Sequence, residues 1–143
     1  MSAKENDLLR IQEIYDVATL TLAQLEELGL AAEQFVAPGT TQEELIAEGL
    51  ANRVFRVAEE GGKLSEMFKA YGFELREMSG LRNRLAHAYG SIDMALVWGV
   101  LESDFPKLVE GCERYCEDNG VALLATWREE APEMADSTGK CFE

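Results

Sequence analysis

The chain has 143 residues, of which 47% are hydrophobic, and its 27 acidic and 13 basic residues give a formal net charge of −14. This length suits one domain with its own apolar core, and the lack of an apolar run of about 18 residues argues against a membrane span. The charged N-terminus has no apolar signal core, so we expect a cytoplasmic protein. The acidity argues against indiscriminate nucleic-acid binding, because Lys and Arg carry most phosphate affinity.

The first predicted helix runs from Asp7 to about Leu28. Its apolar residues recur every three or four positions, which is the period of an amphipathic helix. The resulting stripe comprises Leu8, Ile11, Tyr15, Ala18, Leu22, Leu25 and Leu28. Pro38 and Gly39 then break the chain.

A second helix is predicted to begin at Thr41, because Thr41 and Glu44 have the spacing of a capping box. Gly61 and Gly62 each weaken a helix by about 1 kcal/mol relative to alanine. We interpret this pair as a bend or a point of close packing. The predicted inward residues are Leu45, Leu50, Val54 and Val57, with Leu64 and Phe68 as further candidates.

The second helix is predicted to end at Tyr71-Gly72. A short helical segment over Phe73–Met78 should follow. Ser79 is the predicted N-cap of the next helix, which we expect to end at Gly90-Ser91.

Asp93 is the predicted N-cap of a long helix from Met94 to about Glu117. Pro106 should kink this helix or cause a local break, because proline has no N–H and its ring crowds the preceding turn. The predicted inward residues are Val97, Leu101, Phe105, Leu108 and Tyr115.

These segments show helical periodicity and no β alternation, so we predict an all-α fold. The expected architecture is an antiparallel bundle of four to five helices. Residues 1–119 would form the bundle, and residues 120–143 would add a short helix and a polar C-terminal tail.

The chain contains three cysteines, Cys112, Cys116 and Cys141. The first two are four residues apart, which places them on one face of a helix. A zinc site would need carboxylates to complete it, because the chain has one histidine, and that is a minority arrangement for structural zinc. We interpret the cysteines as reduced, inert thiols, since disulfides are rare in the cytosol, and we predict no metal site.

The charge is unevenly spread along the chain. Residues 51–91 contain seven Lys or Arg and five Glu, for a net charge of +2, whereas the remainder carries −16. A local positive site of this kind could hold a few phosphates. The acidic remainder could equally accept a basic partner protein.

The only histidine lies in the segment GLRNRLAHAYG, residues 80–90. On a helical wheel, Asn83 and His87 lie together, opposite the apolar side, and the smallest side chains of the segment lie near them. The apolar side comprises Leu81, Leu85 and Ala88, and the small residues are Gly80, Ala86 and Gly90. Two interpretations stay open: an exposed histidine without a role, and a substrate site.

These side chains would support the cleavage of RNA without a metal ion or another cofactor. A histidine takes up and releases protons near neutral pH. A neighbouring arginine offers a planar set of donors to phosphate, and an asparagine can orient the imidazole. Because one imidazole cannot easily serve both the attacking and the leaving oxygen, a two-fold dimer that joins two motifs in one cleft would supply the second.

The segment RNRLAHAY resembles the Arg-Asn-x3-His signature of HEPN domains, and its Arg-x4-His-x-Tyr form resembles the HepT-like toxins. The similarity extends, in the same order, to three longer segments and covers roughly Leu8 to Cys116. Those segments are TQEELIAEGLANRVFRVAEEGGKL, LREMSGLRNRLAHAY and SIDMALVWGVLESDFPKL.

This resemblance implies a helical bundle that dimerises, and an endoribonuclease activity that needs no metal. It implies Arg82, Asn83 and His87 as the catalytic set. It further implies that a minimal nucleotidyltransferase, the antitoxin partner, transfers AMP to Tyr89. An AMP group beside the cleft adds bulk and negative charge where RNA phosphate must lie.

Arg84 and Arg76 are further candidates for contacts with RNA phosphates, and no DNA substrate is expected. Two alternatives to the enzyme are a binding module that docks a nucleotidyltransferase and a purely structural helical adaptor. The intact set of Arg82, Asn83, His87 and Tyr89 favours the enzyme, because a docking module needs none of them.

Overall fold

The part of the chain that the computed structural model describes, residues 3–87 and 91–122, is built from helices and the loops between them. The elements are α1 (Ala3–Leu28), α2 (Ala32–Val36), α3 (Thr41–Gly61), a 3₁₀ helix (Glu66–Tyr71), α4 (Leu75–His87), α5 (Met94–Gly99), a π-helical turn (Val100–Asp104) and α6 (Phe105–Asp118). The all-α prediction is confirmed. None of these helices is both long and apolar enough to cross a bilayer.

The core forms between α1, α3 and the segment from α5 to α6 (Met94–Asp118), here called the α5–α6 arm. Helix α3 contacts both α1 and α4, and α6 contacts α1. Each fully buried aliphatic side chain contributes about 1.5–3 kcal/mol relative to an exposed one. The inner side chains include Ile11, Ile14, Val54, Val57, Leu101 and Phe105. The predicted tail beyond residue 122, with Trp127 and Cys141, lies outside the described residues.

A cluster of aromatic rings joins the 3₁₀ helix to α6. The ring of Phe68 lies 4.6 Å from that of Tyr115 and 5.8 Å from that of Phe73, measured between centroids. Gly111 of α6 lies directly against this cluster. A Cβ added there would overlap the carbonyl oxygen of Tyr71 and would lie 3.2 Å from Cε2 of Phe73.

Asp7 fixes the start of the 3₁₀ helix to α1. Its carboxylate accepts hydrogen bonds from the backbone N–H of Ser65 at 3.2 Å and from the Ser65 hydroxyl at 2.5 Å. Asp7 is buried, and these two donors offset the cost of removing its carboxylate from water.

Helix α3 begins at Thr41, as predicted, but the capping residue is not Thr41. Thr40 is the N-cap, and its Oγ1 accepts from the backbone N–H of Glu43 at 3.1 Å. The Glu43 carboxylate accepts from the N–H of Gly39 at 2.8 Å. The consecutive threonines and glutamates give two overlapping capping patterns, and the sequence does not distinguish between them.

Two predicted inward leucines face solvent instead. Leu45 is 66% exposed and Leu28 is 53% exposed. The inner face of α3 begins at Ala47 and continues through Leu50. The end of α1 lies beside the start of α3, so both exposed leucines project beyond the core at the same end of this helix pair.

The prediction of close packing at Gly61 and Gly62 is confirmed. A Cβ added at Gly61 would overlap the Met78 side chain, and one at Gly62 would lie 3.2 Å from the Cα of Ser79. Helix α4 runs without a break from Leu75 to His87, so Ser79 lies inside it and is not its N-cap. The prediction of a separate helical segment over Phe73–Met78 is therefore wrong.

The predicted break near Pro106 is confirmed as a π-helical turn over Val100–Asp104. Pro106 lies in the first turn of α6, directly after this π-helical turn, so the missing N–H of proline coincides with a change in hydrogen-bond pattern rather than with the end of the helix. The predicted N-cap Asp93 is also confirmed, since its Oδ1 accepts from the N–H of Leu96 at 3.2 Å. All five predicted inward residues of this arm are buried.

We predict that Gly111→Ala destabilises the protein by about 1–3 kcal/mol, because the added methyl would force α6 away from the Tyr71 carbonyl. Gly49→Ala is the matched control, since Gly49 also lies inside a helix but an added Cβ there meets open space. The control should be more stable by about 0.5–1 kcal/mol. Urea unfolding measures both, and equal stability of the two variants would contradict the close contact.

Candidate active site

The apolar residues of α4 and the residues of the motif lie on different faces of the helix. Leu75 and Leu81 are buried, whereas Asn83 and His87 are exposed. Asn83 and His87 are one turn apart, a rise of about 6 Å along the axis. The structure therefore places the imidazole on the outer face of the bundle, as the helical wheel predicts.

Arg82 is held by α3 and reaches Asn83. Its guanidinium carbon lies 5.5 Å from the centroid of the Phe55 ring, within the range of a cation–π contact. Its Nε lies 3.9 Å from Oε1 of Glu59, and the Arg82 side chain stays 39% exposed. Its Nη1 donates to Oδ1 of Asn83 at 3.3 Å. This bond directs the amide N–H₂ of Asn83 away from Arg82.

Among residues 3–87 and 91–122, no side chain forms a hydrogen bond with the His87 imidazole. Both ring nitrogens are thus available to a ligand as far as the described residues are concerned. Tyr89, the expected site of AMP transfer, lies outside the described residues, as do its neighbours at positions 88 and 90.

The two further arginines lie on different sides of α4. Arg76 is exposed and precedes Asn83 by seven residues, so it lies on the same face about 10 Å away along the axis. Arg84 instead lines a cavity of about 220 Å³ whose other residues include Glu74, Glu77 and Asp104. The structure therefore groups Arg76 with the motif and places Arg84 beside carboxylates.

The cavity beside Arg84 contains more acidic than basic side chains. Besides Arg84, its charged lining residues are Glu74, Glu77, Asp104 and Lys107. A hydrogen bond between the carboxyl groups of Glu74 and Glu77 raises the pKa of Glu77. Burial raises the pKa of Asp104, the charge of Lys107 opposes that shift, and the charge of Glu74 adds to it. The carboxyl groups in this cavity would compete with phosphate for Arg84.

An exposed glycine lies on the motif face of α4. Gly80 is inside the helix, and a Cβ added there meets no described atom within 4 Å. Glycine costs a helix about 1 kcal/mol relative to alanine, and no contact within the described chain requires it. The surface beside Asn83 is consequently flat enough for a second helix or a polynucleotide to approach closely.

The cysteines of α6 take no part in this site. Cys112 and Cys116 are buried and free, and burial raises the pKa of both thiols. They remain protonated near neutral pH and are poor nucleophiles. For these two residues the prediction of inert thiols is confirmed.

Phe55 and Glu59 were not predicted from the sequence as members of the site. They are four residues apart and face α4 from α3. Periodicity assigns faces within one helix, but it does not indicate which residue of a neighbouring helix meets Arg82. No signal in the sequence alone identifies this pair.

The model of the family "Ribonuclease HepT-like" matches residues 29–115 of the chain. The matched span runs from the end of α1 into α6 and contains the whole motif. No curated protein and no solved structure matches the chain. Because the match covers more than half of the sequence and includes the helices that build the site, the chain belongs to the HepT-like ribonuclease family.

Proposed function

We propose that the protein is an endoribonuclease that cleaves RNA without a metal ion, with Arg82, Asn83 and His87 as its catalytic residues. The observation that supports this most is the arrangement on α4. An exposed imidazole lies one turn from an asparagine whose carboxamide is held by an arginine, and that arginine is itself held by α3. Family membership supports the same class of reaction.

The reaction follows from the groups available. The ribose 2′-oxygen attacks the adjacent phosphorus as His87 accepts its proton. The bond from phosphorus to the 5′-oxygen breaks, and that oxygen takes a proton, which leaves a 2′,3′-cyclic phosphate and a 5′-hydroxyl. Arg82 and the Asn83 amide donate to the non-bridging oxygens as negative charge develops on them.

A second copy of the chain would complete the site. The attacking and leaving oxygens lie on opposite sides of phosphorus, and one imidazole reaches one of them at a time. Two α4 helices that meet across a two-fold axis would supply a base and an acid. The bare surface at Gly80 supports such an approach, since nothing in the described chain fills it.

RNA would lie along the exposed face of α4. Arg76 extends this face beyond the motif and is the better candidate for a second phosphate contact. Arg84 is the weaker candidate, because its cavity contains carboxylates. With a net charge of −14, the rest of the surface offers little attraction to phosphate, so affinity would depend on these few contacts.

The proposed regulation is AMP transfer to Tyr89 by a minimal nucleotidyltransferase that acts as antitoxin. Tyr89 follows His87 by two residues, so a bulky anionic group on it would lie near the cleft. The acidic surface favours a second candidate function, a non-catalytic module that docks this nucleotidyltransferase. That function requires neither an exposed histidine nor the bond between Arg82 and Asn83.

We predict that His87→Ala and Arg82→Ala each lower the rate of RNA cleavage by about 100-fold or more, the typical contribution of acid–base or oxyanion groups. Arg114→Ala is the matched control, because Arg114 also lies over an aromatic ring, that of Tyr71 at 5.5 Å, but on α6. Its cleavage rate should equal that of the wild type. Circular dichroism and thermal unfolding should show that all three variants keep the fold.

Wild-type cleavage should persist in EDTA and leave 2′,3′-cyclic phosphate ends. An unchanged rate in either motif variant would contradict the assignment of the catalytic residues. Products with 5′-phosphate ends would instead indicate a metal-dependent mechanism.

We also predict that incubation with the nucleotidyltransferase and ATP attaches AMP to Tyr89, detected by mass spectrometry of the digested protein. Tyr89→Phe should remain unmodified, and Tyr71→Phe should be modified like the wild type. The proposal of this regulation fails if a demonstrably active nucleotidyltransferase leaves the wild-type chain unmodified.

A further inference from the structure

A groove of about 570 Å³ lies between α3 and the C-terminal half of α4, next to the motif. Ala86, which directly precedes His87, forms part of its wall. Phe35 lies at its base and is fully buried. The volume exceeds what a single nucleobase needs, and the groove opens toward solvent beside the proposed site of cleavage.

The two walls of the groove differ in chemistry. One wall is apolar and includes Leu85, Ile92 and Met94. The other is the outer face of α3, where Glu44, Glu48 and Asn52 recur every four residues. Among the described residues, no side chain forms a hydrogen bond with Glu48 or Asn52. These groups can therefore bond a ligand without breaking an internal contact.

The charge of the groove selects against phosphate. Glu44 and Glu48 are the charged residues among those that line it in the described part of the chain. A phosphodiester would be repelled there, whereas a neutral, flat and largely apolar group with polar edges would be compatible with both walls.

Phe55 connects the groove to the catalytic arginine. Phe55 is one of the residues that line the groove, and the guanidinium of Arg82 lies over its ring at 5.5 Å from the centroid. A nucleotide whose phosphate contacts Arg82 would therefore carry its base toward Phe55. Aromatic rings and guanidinium planes are the surfaces on which proteins stack unpaired bases.

We propose that this groove binds an unstacked nucleobase next to the cleaved phosphate and that it selects bases with an exocyclic amino group, adenine and cytosine among them, over uracil. This inference rests on the proposed ribonuclease function. The Glu48 carboxylate can accept from such an amino group, and the Asn52 carboxamide can pair with a base edge that offers both a donor and an acceptor.

The test uses mononucleotides and the wild-type full-length protein, so that no cleavage is required. AMP, CMP, UMP and ribose 5-phosphate would be titrated separately while the side-chain amide resonances of Asn52 are followed by NMR. AMP and CMP should shift these resonances, with dissociation constants at least about fivefold below that of UMP. The resonances of Gln42, an exposed carboxamide of α3 that does not line the groove, should not move.

The double variant Glu48→Gln/Asn52→Ala should remove this base preference, and Gln42→Ala should keep it, both measured by isothermal titration calorimetry with the same mononucleotides. Both altered positions are exposed, so the fold should be retained. Equal shifts with ribose 5-phosphate would overturn the proposal in favour of a phosphate site, and no response of Asn52 to any nucleotide would also overturn it. A protein that binds AMP in the groove but does not cut RNA would refute the proposed function alone.

Discussion

The close contact between the end of α3 and the middle of α4 is the constraint on which the site depends. Gly61 and Gly62 have no side chains, and Met78 and Ser79 occupy the space that a Cβ would need. Once α4 lies at this distance, Leu75 and Leu81 enter the core and the opposite face is exposed. The same contact brings Arg82 over Phe55, and from there Arg82 bonds Asn83.

In this strongly acidic protein, the Arg82 side chain is positioned by nearby side chains, two of which, the Phe55 ring and the Asn83 carboxamide, carry no charge. The guanidinium of Arg82 is shared between an aromatic ring, a carboxylate at 3.9 Å and a carboxamide at 3.3 Å. None of these fully neutralises it, so it can still bind an anion. Because exposed charges act over about 10 Å or less at physiological salt, the acidic remainder would weaken RNA binding without abolishing contacts at the motif.

Much of the fold follows from the periodicity of the sequence. Side chains such as Val97, Leu101 and Phe105 are buried where the helical pattern predicts, and the outward direction of His87 follows from the same period. The predictions fail at residues that could cap a helix but do not. Thr40 caps α3 in place of Thr41, and Ser79, a residue type common at N-caps, lies inside α4. For Ser79, close packing against Gly62 of α3 accompanies its position inside the helix.

The partners of Arg82 could not be predicted in this way. Phe55 and Glu59 belong to a different helix, and their role depends on how closely two helices approach. The same holds for the groove beside Ala86, which is formed by residues from four separate segments. Sequence periodicity defines the faces of single helices, whereas a site between helices arises only from their tertiary packing.

We propose that two His87 side chains, one from each copy of the chain, act on one phosphodiester. The most direct measurement is the cleavage rate of a mixed dimer with one wild-type subunit and one His87→Ala subunit, isolated by two different affinity tags. We expect a rate about 100-fold or more below that of the wild-type dimer, because either the base or the acid is missing. A mixed dimer with half the wild-type rate would show that each copy cuts RNA alone and would rule out a shared site.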